Sequence, residues 1–277
     1  MKRIGVTASP TLGDRKKEIT QIIKTIEEQG VEVLKEKKLS EMVGNEGGMS
    51  LEDMEKKEKM DLLVTIGGDG TVLRALQHCN APILGVNMGR VGFLNEVQPE
   101  NFEKDLKRVL DGDYYIDEHT RIKLCINGTE SIPVLNEVVI HSSQAVKIRE
   151  FEISLDGFVL DHFRADGVIV ATPTGSTGYA MSAGGPLIDP RLKGMLLMPL
   201  APFRVARRPN VVPLEAIVRV RMIKHRPCIA NLDGQKEMEL SGSEILEFTD
   251  AESPAKFLRF ESNPYRVRQR VFQSINQ

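Results

Sequence analysis

The sequence predicts an α/β domain followed by a β-rich one: an open, mainly parallel sheet first, then a sandwich-like set of short strands. Three observations carry this. Up to about residue 115, short apolar runs alternate with amphipathic helical segments, the pattern of strands and helices in a parallel sheet. After Tyr115 the texture changes to short β-type runs, with Asn127-Gly128 and Asp156-Gly157 between them, dipeptides that close tight hairpins. The chain has 277 residues, enough for one large domain or two ordinary ones.

Element by element, Arg3 to Thr7 reads as a buried strand. Asp14 to Gln29 follows as a helix with Ile19, Ile22, Ile23 and Ile26 on one face, and Gly30 stands where a C-cap glycine belongs. Val31 to Leu34 is a second strand. Ser40 to Met49, with Gly44, Gly47 and Gly48, has no periodicity and reads as an exposed, mobile loop. Leu51 to Lys59 is a short charged helix. Asp61 to Ile66 is a continuous apolar run of the kind buried on both faces. It stops at Gly67-Gly68-Asp69-Gly70-Thr71, and a helical pattern resumes at Val72 to Gln77. Pro82 to Val86 is another strand and Asn101 to Leu110 another helix. Beyond the change of texture, Ile122 to Ile126, Val134 to His141, Phe151 to Leu155, Phe158 to Arg164, Val168 to Ala171, Ala216 to Ile223 and Ile229 to Leu232 read as strands. The division expected is an α/β domain over 1–115, a β-rich domain over 116–255, and a tail, 256–277, with a further apolar run and the basic residues Arg266, Arg268 and Arg270.

Composition excludes several classes. The apolar fraction is 41% and the charged fraction 27%, with a formal net charge of -2, so nothing points to a nucleic-acid partner. Cys79, Cys125 and Cys228 are widely spaced with no CxxC, which reads as free thiols in an intracellular protein. The N-terminus lacks the apolar run of a signal peptide. No stretch approaches the ~20 apolar residues of a membrane span. A soluble, cytoplasmic protein with no membrane partner is expected.

The glycine turn between a buried strand and a helix occupies the position where open α/β sheets bind phosphates. Gly67, Gly68 and Gly70 let the backbone turn tightly and approach a ligand, and free N–H groups at the helix start favour an anion. A carboxylate there repels phosphate, so Asp69 makes sense as a holder of Mg²⁺ or as the acceptor of a proton from an attacking hydroxyl. A strand-end turn with Asp69 as helix N-cap explains the same spacing. There is no GxxxxGK[ST], and no GxGxxG follows a strand, so neither a P-loop nor a dinucleotide fingerprint is present.

Gly67-Gly68-Asp69-Gly70-Thr71 resembles the GGDGT signature of NAD kinases, shared in part with diacylglycerol kinases and 6-phosphofructokinases. Three more segments narrow the resemblance. Asn87-Met88-Gly89-Arg90-Val91-Gly92-Phe93-Leu94 is similar to the family's NxGxxGF segment. Asn136-Glu137 is similar to its NE motif. Arg164-Ala165-Asp166-Gly167, Thr172-Pro173-Thr174-Gly175-Ser176-Thr177-Gly178-Tyr179 and Ser182-Ala183-Gly184-Gly185-Pro186 are close to DG, TPTGSTAY and SAGGP. These stand in the family's order over most of the chain.

The resemblance implies an NAD kinase: an α/β domain bearing the glycine turn, a β-rich domain bearing the later motifs, a tail packed back on the first domain, and substrate between the two. It implies transfer of a phosphoryl group from ATP or polyphosphate to the 2′-hydroxyl of the adenosine ribose of NAD. Mg²⁺ or another divalent metal enters with the donor phosphates, with no protein ligand directly assigned. Asp69 becomes the base, and Gly67, Gly68, Gly70 and Thr71 the phosphate cradle. Contacts to NAD are implied for Asp69, Gly70, Phe93, Asn136, Glu137, Arg164, Asp166, Thr174, Thr177, Gly178, Tyr179 and Ser182. Asn136 and Glu137, a donor and an acceptor, suit ribose hydroxyls. The five hydroxyls of Thr172 to Ser182 suit the base and carboxamide, with Tyr179 free to stack and Asp166 facing the nicotinamide amide. Self-association to a dimer or tetramer is implied too. Two departures stand out. Gly178 replaces the family's Ala, which should loosen the loop, and Phe203 stands where many relatives have His, removing any hydrogen bond that His makes. Asp233-Gly234-Gln235 resembles the family's DGQ turn, though a plain hairpin turn explains it equally well. Two alternatives remain open: another kinase of the same superfamily, acting on a lipid or sugar phosphate, and a non-catalytic NAD-binding sensor.

Overall fold

The computed structural model describes residues 1–45, 47–89, 92–144, 147–203 and 207–263, less the side chains of 130–132. Arg90, Val91 and the tail arginines Arg266, Arg268 and Arg270 lie outside the described residues.

The chain divides into two units, one formed by Met1–Glu118 with Ala255–Gln277, the other by His119–Pro254. In the first unit β1 (Arg3–Ala8), β2 (Glu32–Lys35), β3 (Leu62–Gly67) and β4 (Ile83–Asn87) pair in parallel, with β1 at the centre of its own pair of neighbours, β2 and β3. Helices α1 (Lys16–Glu27), α2 (Lys37–Val43), α3 (Leu51–Lys56), α4 (Asp69–Leu76) and α5 (Phe102–Leu110) connect the strands. The isoleucines of α1 that recur at helical spacing, Ile19, Ile22, Ile23 and Ile26, are all buried in one core with Phe102, Leu106 and Val109 of α5. That burial, at roughly 1.5–3 kcal/mol per large apolar side chain, is what holds helices of this length on the sheet.

The segment expected as an exposed loop is helical in its first part. Residues up to Val43 form α2, which buries Leu39 and Ser40 and ends at Gly44 with φ 78°. The glycines that masked the periodicity include this C-terminal cap. A short bridge between Glu36 and Met49 ties the far end of the segment down.

The second unit begins at His119, the last residue of β5 (Tyr115–His119), and is built from antiparallel strands: β6 (Ile122–Ile126), β7 (Glu130–Val134), β8 (Glu137–Ser142), β9 (Arg149–Leu155), β10 (Phe158–Ala165), β11 (Gly167–Ala171), β12 (Gly194–Leu200), β13 (Asn210–Pro213), β14 (Val218–Met222), β15 (Cys228–Leu232), β16 (Lys236–Leu240) and β17 (Ile245–Asp250). They form two six-stranded sheets, ordered β10-β9-β14-β17-β6-β7 and β13-β12-β11-β8-β15-β16. Side chains of both, among them Phe151, Val218 and Phe248 from one and Ile140, Val168 and Ala230 from the other, share one core, as in a sandwich. In the first sheet β9 and β14 alternate buried and partly exposed residues, so their other faces are wetter. In the second, β11 is buried along its whole length, because a helical segment covers its outer face. Ala180 of α6 (Tyr179–Ser182) and Ile188 pack there against Val139, Ile169 and Leu196. The TPTGST-like run is therefore clamped onto a sheet.

The chain then returns to the first unit. β18 (Ala255–Arg259) pairs in parallel with β4 and lies between β4 and β5, completing a six-stranded, mainly parallel sheet. Among the described residues no helix is long and apolar enough to cross a membrane.

Candidate active site

The glycine turn sits at the carboxyl end of β3, where the strand passes directly into α4 with Gly68 as its N-cap. Gly67 is required by close packing: a Cβ there would lie 2.3 Å from Thr71 Oγ1. Gly68 has open space and, like Gly70, is exposed, so the backbone is bare towards solvent at these positions. Thr71 is different. It is buried, and its N–H already donates to Gly68 O at 3.0 Å, so this member of the expected cradle contributes to the turn itself.

The Asp69 carboxylate is held by the segment that resembles NxGxxGF. The Phe93 N–H donates to Oδ2 at 2.7 Å, the Leu94 N–H to Oδ1 at 3.1 Å and Asn95 Nδ2 to Oδ1 at 2.9 Å. Gly92 passes so close that a Cβ would stand 2.2 Å from Oδ1. The segment in turn lies along β4. Val97 bridges to Val86, and Glu96 and Val97 donate to Gly85 O. Gly85 has no room for a side chain either, because Asn95 Oδ1 would be 2.5 Å away. Phe93 thus serves through its backbone, with its side chain half-buried.

Below the turn, Arg74 of α4 donates from Nη1 to Glu36 Oε1 at 2.6 Å and from Nη2 to Thr7 Oγ1 at 2.7 Å and Ala8 O at 3.1 Å. Burial pushes the Glu36 carboxyl up, but the hydrogen bonds from Arg74 and Thr7 outweigh it and hold it below its usual range. α4 is therefore tied to β1 through Thr7 and Ala8, and to Glu36 by a largely buried ion pair.

In the second unit, Asn136 lies in the bend just before β8 and Glu137 is the first residue of that strand. The feature that shapes this corner is Asp233, which the sequence showed only as part of a turn. Asp233 and Gly234 have φ of 51° and 65° in the hairpin between β15 and β16. The buried Asp233 carboxylate accepts from the N–H groups of Leu135 at 2.9 Å, Asn136 at 2.7 Å and Glu137 at 3.1 Å. No local signal separates such an aspartate from an ordinary hairpin residue, since Asp-Gly is common in both roles.

Glu137 is 7% exposed and its Oε2 has no hydrogen-bond partner among the described residues. Burial, with the nearby Asp233 charge adding to it, pushes its carboxyl up to about 7, while a hydrogen bond from the Tyr179 backbone N–H pulls the other way. Burial likewise pushes Asp233 up to about 6 against its three amide donors. Gly178 presses on this carboxyl: a Cβ would lie 2.6 Å from Glu137 Oε2. The loop is not loosened at Gly178, because its N–H donates to Gly175 O at 2.9 Å and its carbonyl accepts from Met181. Gly175 packs equally tightly, 2.1 Å from Asn136 O for a built Cβ.

Most hydroxyls of the TPTGST-like run are spent on the framework. Thr172 Oγ1 donates to Leu135 O, Thr174 Oγ1 pairs with His119 Nδ1 at 2.8 Å, Ser176 Oγ donates to Pro173 O and Thr177 Oγ1 donates to Thr174 O. Thr172, Thr174 and Ser176 are buried, whereas Tyr179 and Ser182 are exposed. A cavity of about 520 Å³ opens beside the run, lined by Glu137, Asp166 and Tyr179 with Val139, His141, Leu200 and Asn231 among others. That volume is in the usual range for a small-molecule site. Arg164 is not among its walls. Its guanidinium lies 5.1 Å over the Phe203 ring, and it lines a second, smaller cavity. The Phe203 N–H donates to Arg164 O at 2.8 Å.

Comparison with known proteins gives one family. Residues 6–114 match the family model described as the ATP-NAD kinase N-terminal domain, and residues 135–260 match the ATP-NAD kinase C-terminal domain. The chain is 38% identical to an NAD kinase of Methanothermobacter thermautotrophicus over 99% of its own length and 97% of the relative's. It is 40% identical to one of Thermoplasma acidophilum over 78% and 80%. Among solved structures, it resembles an NAD kinase from Archaeoglobus fulgidus in complex with ATP, at TM-score 0.78 and 32% identity, covering 99% and 98% of the two chains. It shares its fold with yeast NADH kinase complexed with NADH, at TM-score 0.88 and 21% identity, covering 100% and 88%.

Proposed function

This chain belongs to the NAD kinase family, and from that premise we propose that it transfers the terminal phosphoryl group of ATP to the 2′-hydroxyl of the adenosine ribose of NAD, giving NADP. The observation that carries the proposal is Glu137: a buried carboxyl with an unpartnered oxygen, at a cavity of nucleotide-site volume. An acceptor left unpaired in the protein is matched by a substrate hydroxyl. The amide of Asn136 beside it supplies a donor, and Tyr179 and Asp166 give the same cavity a stacking face and a polar edge.

Phosphoryl transfer asks the protein mainly for positioning and charge neutralisation. Gly68 and Gly70 offer bare backbone to the donor phosphates, Gly67 lets the strand turn tightly against Thr71, and Asp69 takes the proton of the attacking hydroxyl. The amides of Phe93 and Leu94 and the side chain of Asn95 fix the direction of that carboxylate. The single Asp69 carboxylate beside the exposed glycine backbone fits Mg²⁺ carried on the nucleotide phosphates, which is commonly bound by one or two carboxylates and the phosphates themselves. When bound, the ion would neutralise charge on the transferred group, with Asp69 as the carboxylate nearest to it in role. Polyphosphate is a second donor for the same turn. Self-association belongs to the proposal too. It is supported by Phe158 and Val159, 80% and 62% exposed on the edge strand β10, and sedimentation velocity showing a monomer at assay concentration would remove it.

The test is Asp69→Asn with NAD, ATP and Mg²⁺. The variant should bind NAD as the parent does and lose turnover by about 10²–10⁴-fold, the usual contribution of a general base. One observation favours a different proton acceptor, namely the rise of Glu137 to about 7, a value suited to a base. Glu137→Gln separates the two: a raised KM with kcat retained fits a ribose ligand, whereas lost kcat together with an active Asp69→Asn moves the role to Glu137.

A further inference from the structure

Arg149, the first residue of β9, is 4% exposed, yet its guanidinium meets carbonyl oxygens and the Cys228 thiol and, among the described residues, no carboxylate. Nε and Nη2 reach Pro227 O at 3.3 and 3.2 Å, and Nη1 reaches Lys147 O at 3.4 Å. These are at or beyond the long end of the N–H···O range, and no ion pair accompanies them among the described residues. A buried cation is ordinarily paired. Beside it lies a cavity of about 100 Å³ that Arg164, Lys224, Arg226 and Glu150 also line. Its one carboxylate is already taken: Glu150 meets Lys224 Nζ at 2.8 Å and His162 Nε2 at 3.1 Å. The Arg164 guanidinium carbon stands over the Phe203 ring, 5.1 Å from its centroid, and a guanidinium on an aromatic face can still donate to an oxyanion through its N–H groups.

We propose that this cavity, formed by Arg149, Arg164, Lys224 and Arg226, is a binding site for a single phosphoryl oxyanion. A tetrahedral oxyanion supplies the missing counter-charge to Arg149 and accepts charge-assisted hydrogen bonds from the surrounding guanidinium groups. The volume is well below the roughly 300–1,000 Å³ of sites for whole small molecules, so it takes one phosphate group and no nucleoside. The phosphate can be free, alone or at the end of a short polyphosphate, or it can be carried by the dinucleotide. The site does not depend on the role given to Asp69.

The experiment is calorimetric titration of the full chain with orthophosphate, tripolyphosphate and NADP. It compares the parent with Lys224→Ala/Arg226→Ala, whose residues are exposed, and with Arg149→Gln, checked for folding by circular dichroism. Orthophosphate should bind the parent saturably and the double variant at least tenfold more weakly, and a folded Arg149→Gln should show the same loss. Weakened orthophosphate and tripolyphosphate with unchanged NADP identifies free phosphate as the ligand. Weakened NADP as well identifies the phosphate of the nucleotide. Absence of saturable binding to the parent, or identical isotherms in parent and double variant, overturns the site. Any phosphate held at the glycine turn persists in the double variant, so its loss in Asp69→Asn alone bears on the kinase assignment and leaves this one untouched.

Discussion

Glu137 is neutral or charged according to pH in the range where the enzyme would work, because burial has moved its carboxyl up to about 7. A folded-state value raised above the unfolded one contributes stability that is complete below the unfolded value and is lost as pH rises through the folded value. The ligand-free protein should therefore lose up to about 3 kcal/mol between roughly pH 4.5 and 7.5 from this group, at about 1.4 kcal/mol per pH unit, and Asp233 bends the curve the same way. Glu137→Gln should flatten that slope in urea melts taken across the range. The same ionisation should appear near 7 in kcat/KM for NAD, rising with pH as the carboxylate becomes a pure acceptor, and vanish in the Gln variant. Gly178→Ala tests the packing around it. A Cβ 2.6 Å from Oε2 must displace the carboxyl, the end of a flexible side chain, so KM for NAD should shift while stability changes little. An unchanged KM would show that Glu137 moves aside freely. At this scale the sequence was informative about identity and less so about freedom: Asn136 and Glu137 were legible as a pair, but the burial that shifts Glu137 comes from residues far along the chain. Thr174 and Thr177 are legible as hydroxyls because type and spacing are visible in a sequence, whereas the partners they find within the chain, such as His119, are not.

Between the residue and the fold stands the segment Gly92–Val97, which has no regular structure yet determines where Asp69 points. It follows β4 because Gly85 admits Asn95 and it reaches Asp69 because Gly92 admits the carboxylate. Gly92→Ala should therefore act on chemistry through the carboxylate: kcat should fall by ten-fold or more, with the melting temperature measured alongside because the segment also buries Leu94, Asn95 and Val97. A parental kcat in that variant would mean that the hydrogen bonds from Phe93 and Leu94 are dispensable. The strands and helices were legible from period and capping, as α1 shows with its four isoleucines and Gly30 at φ 71°. What defeated the pattern was α2, seven residues long, whose single buried leucine cannot establish a 3.6-residue period and whose following glycines look like a loop. The Asp233 turn was missed for the opposite reason. Its local chemistry is complete as a hairpin, and its second function, accepting three amides from β8 and the bend before it, depends entirely on which strand lies alongside.

At the scale of the molecule the important feature is that the first unit is made from two stretches of chain separated by the whole of the second. β18 enters between β4 and β5, with Phe257, Leu258 and Arg259 buried to 1% exposure or less. Arg259 Nη1 donates to Leu94 O at 2.8 Å, and Glu96 accepts the Phe260 N–H at 3.2 Å, so the returning strand also grips the segment that orients Asp69. A chain ending at Pro254 would leave β4 and β5 without the strand between them and expose the apolar faces of their neighbours. Phe257 and Leu258 alone remove about 3–6 kcal/mol of burial, a large part of the 5–15 kcal/mol that stabilises a typical domain. The second unit is continuous in sequence and has its own core. The expected result for truncation at Pro254 is thus partial unfolding: helical circular dichroism collapses, because α1 to α5 belong to the first unit, while a cooperative β-type melt survives and phosphoryl transfer is lost altogether. The isolated fragment 119–254 should show that same melt. Retention of full helical signal by the truncated chain would mean that β1 to β4 and their helices are stable without the closing strand, and that the long return of the tail serves the orientation of Asp69 alone.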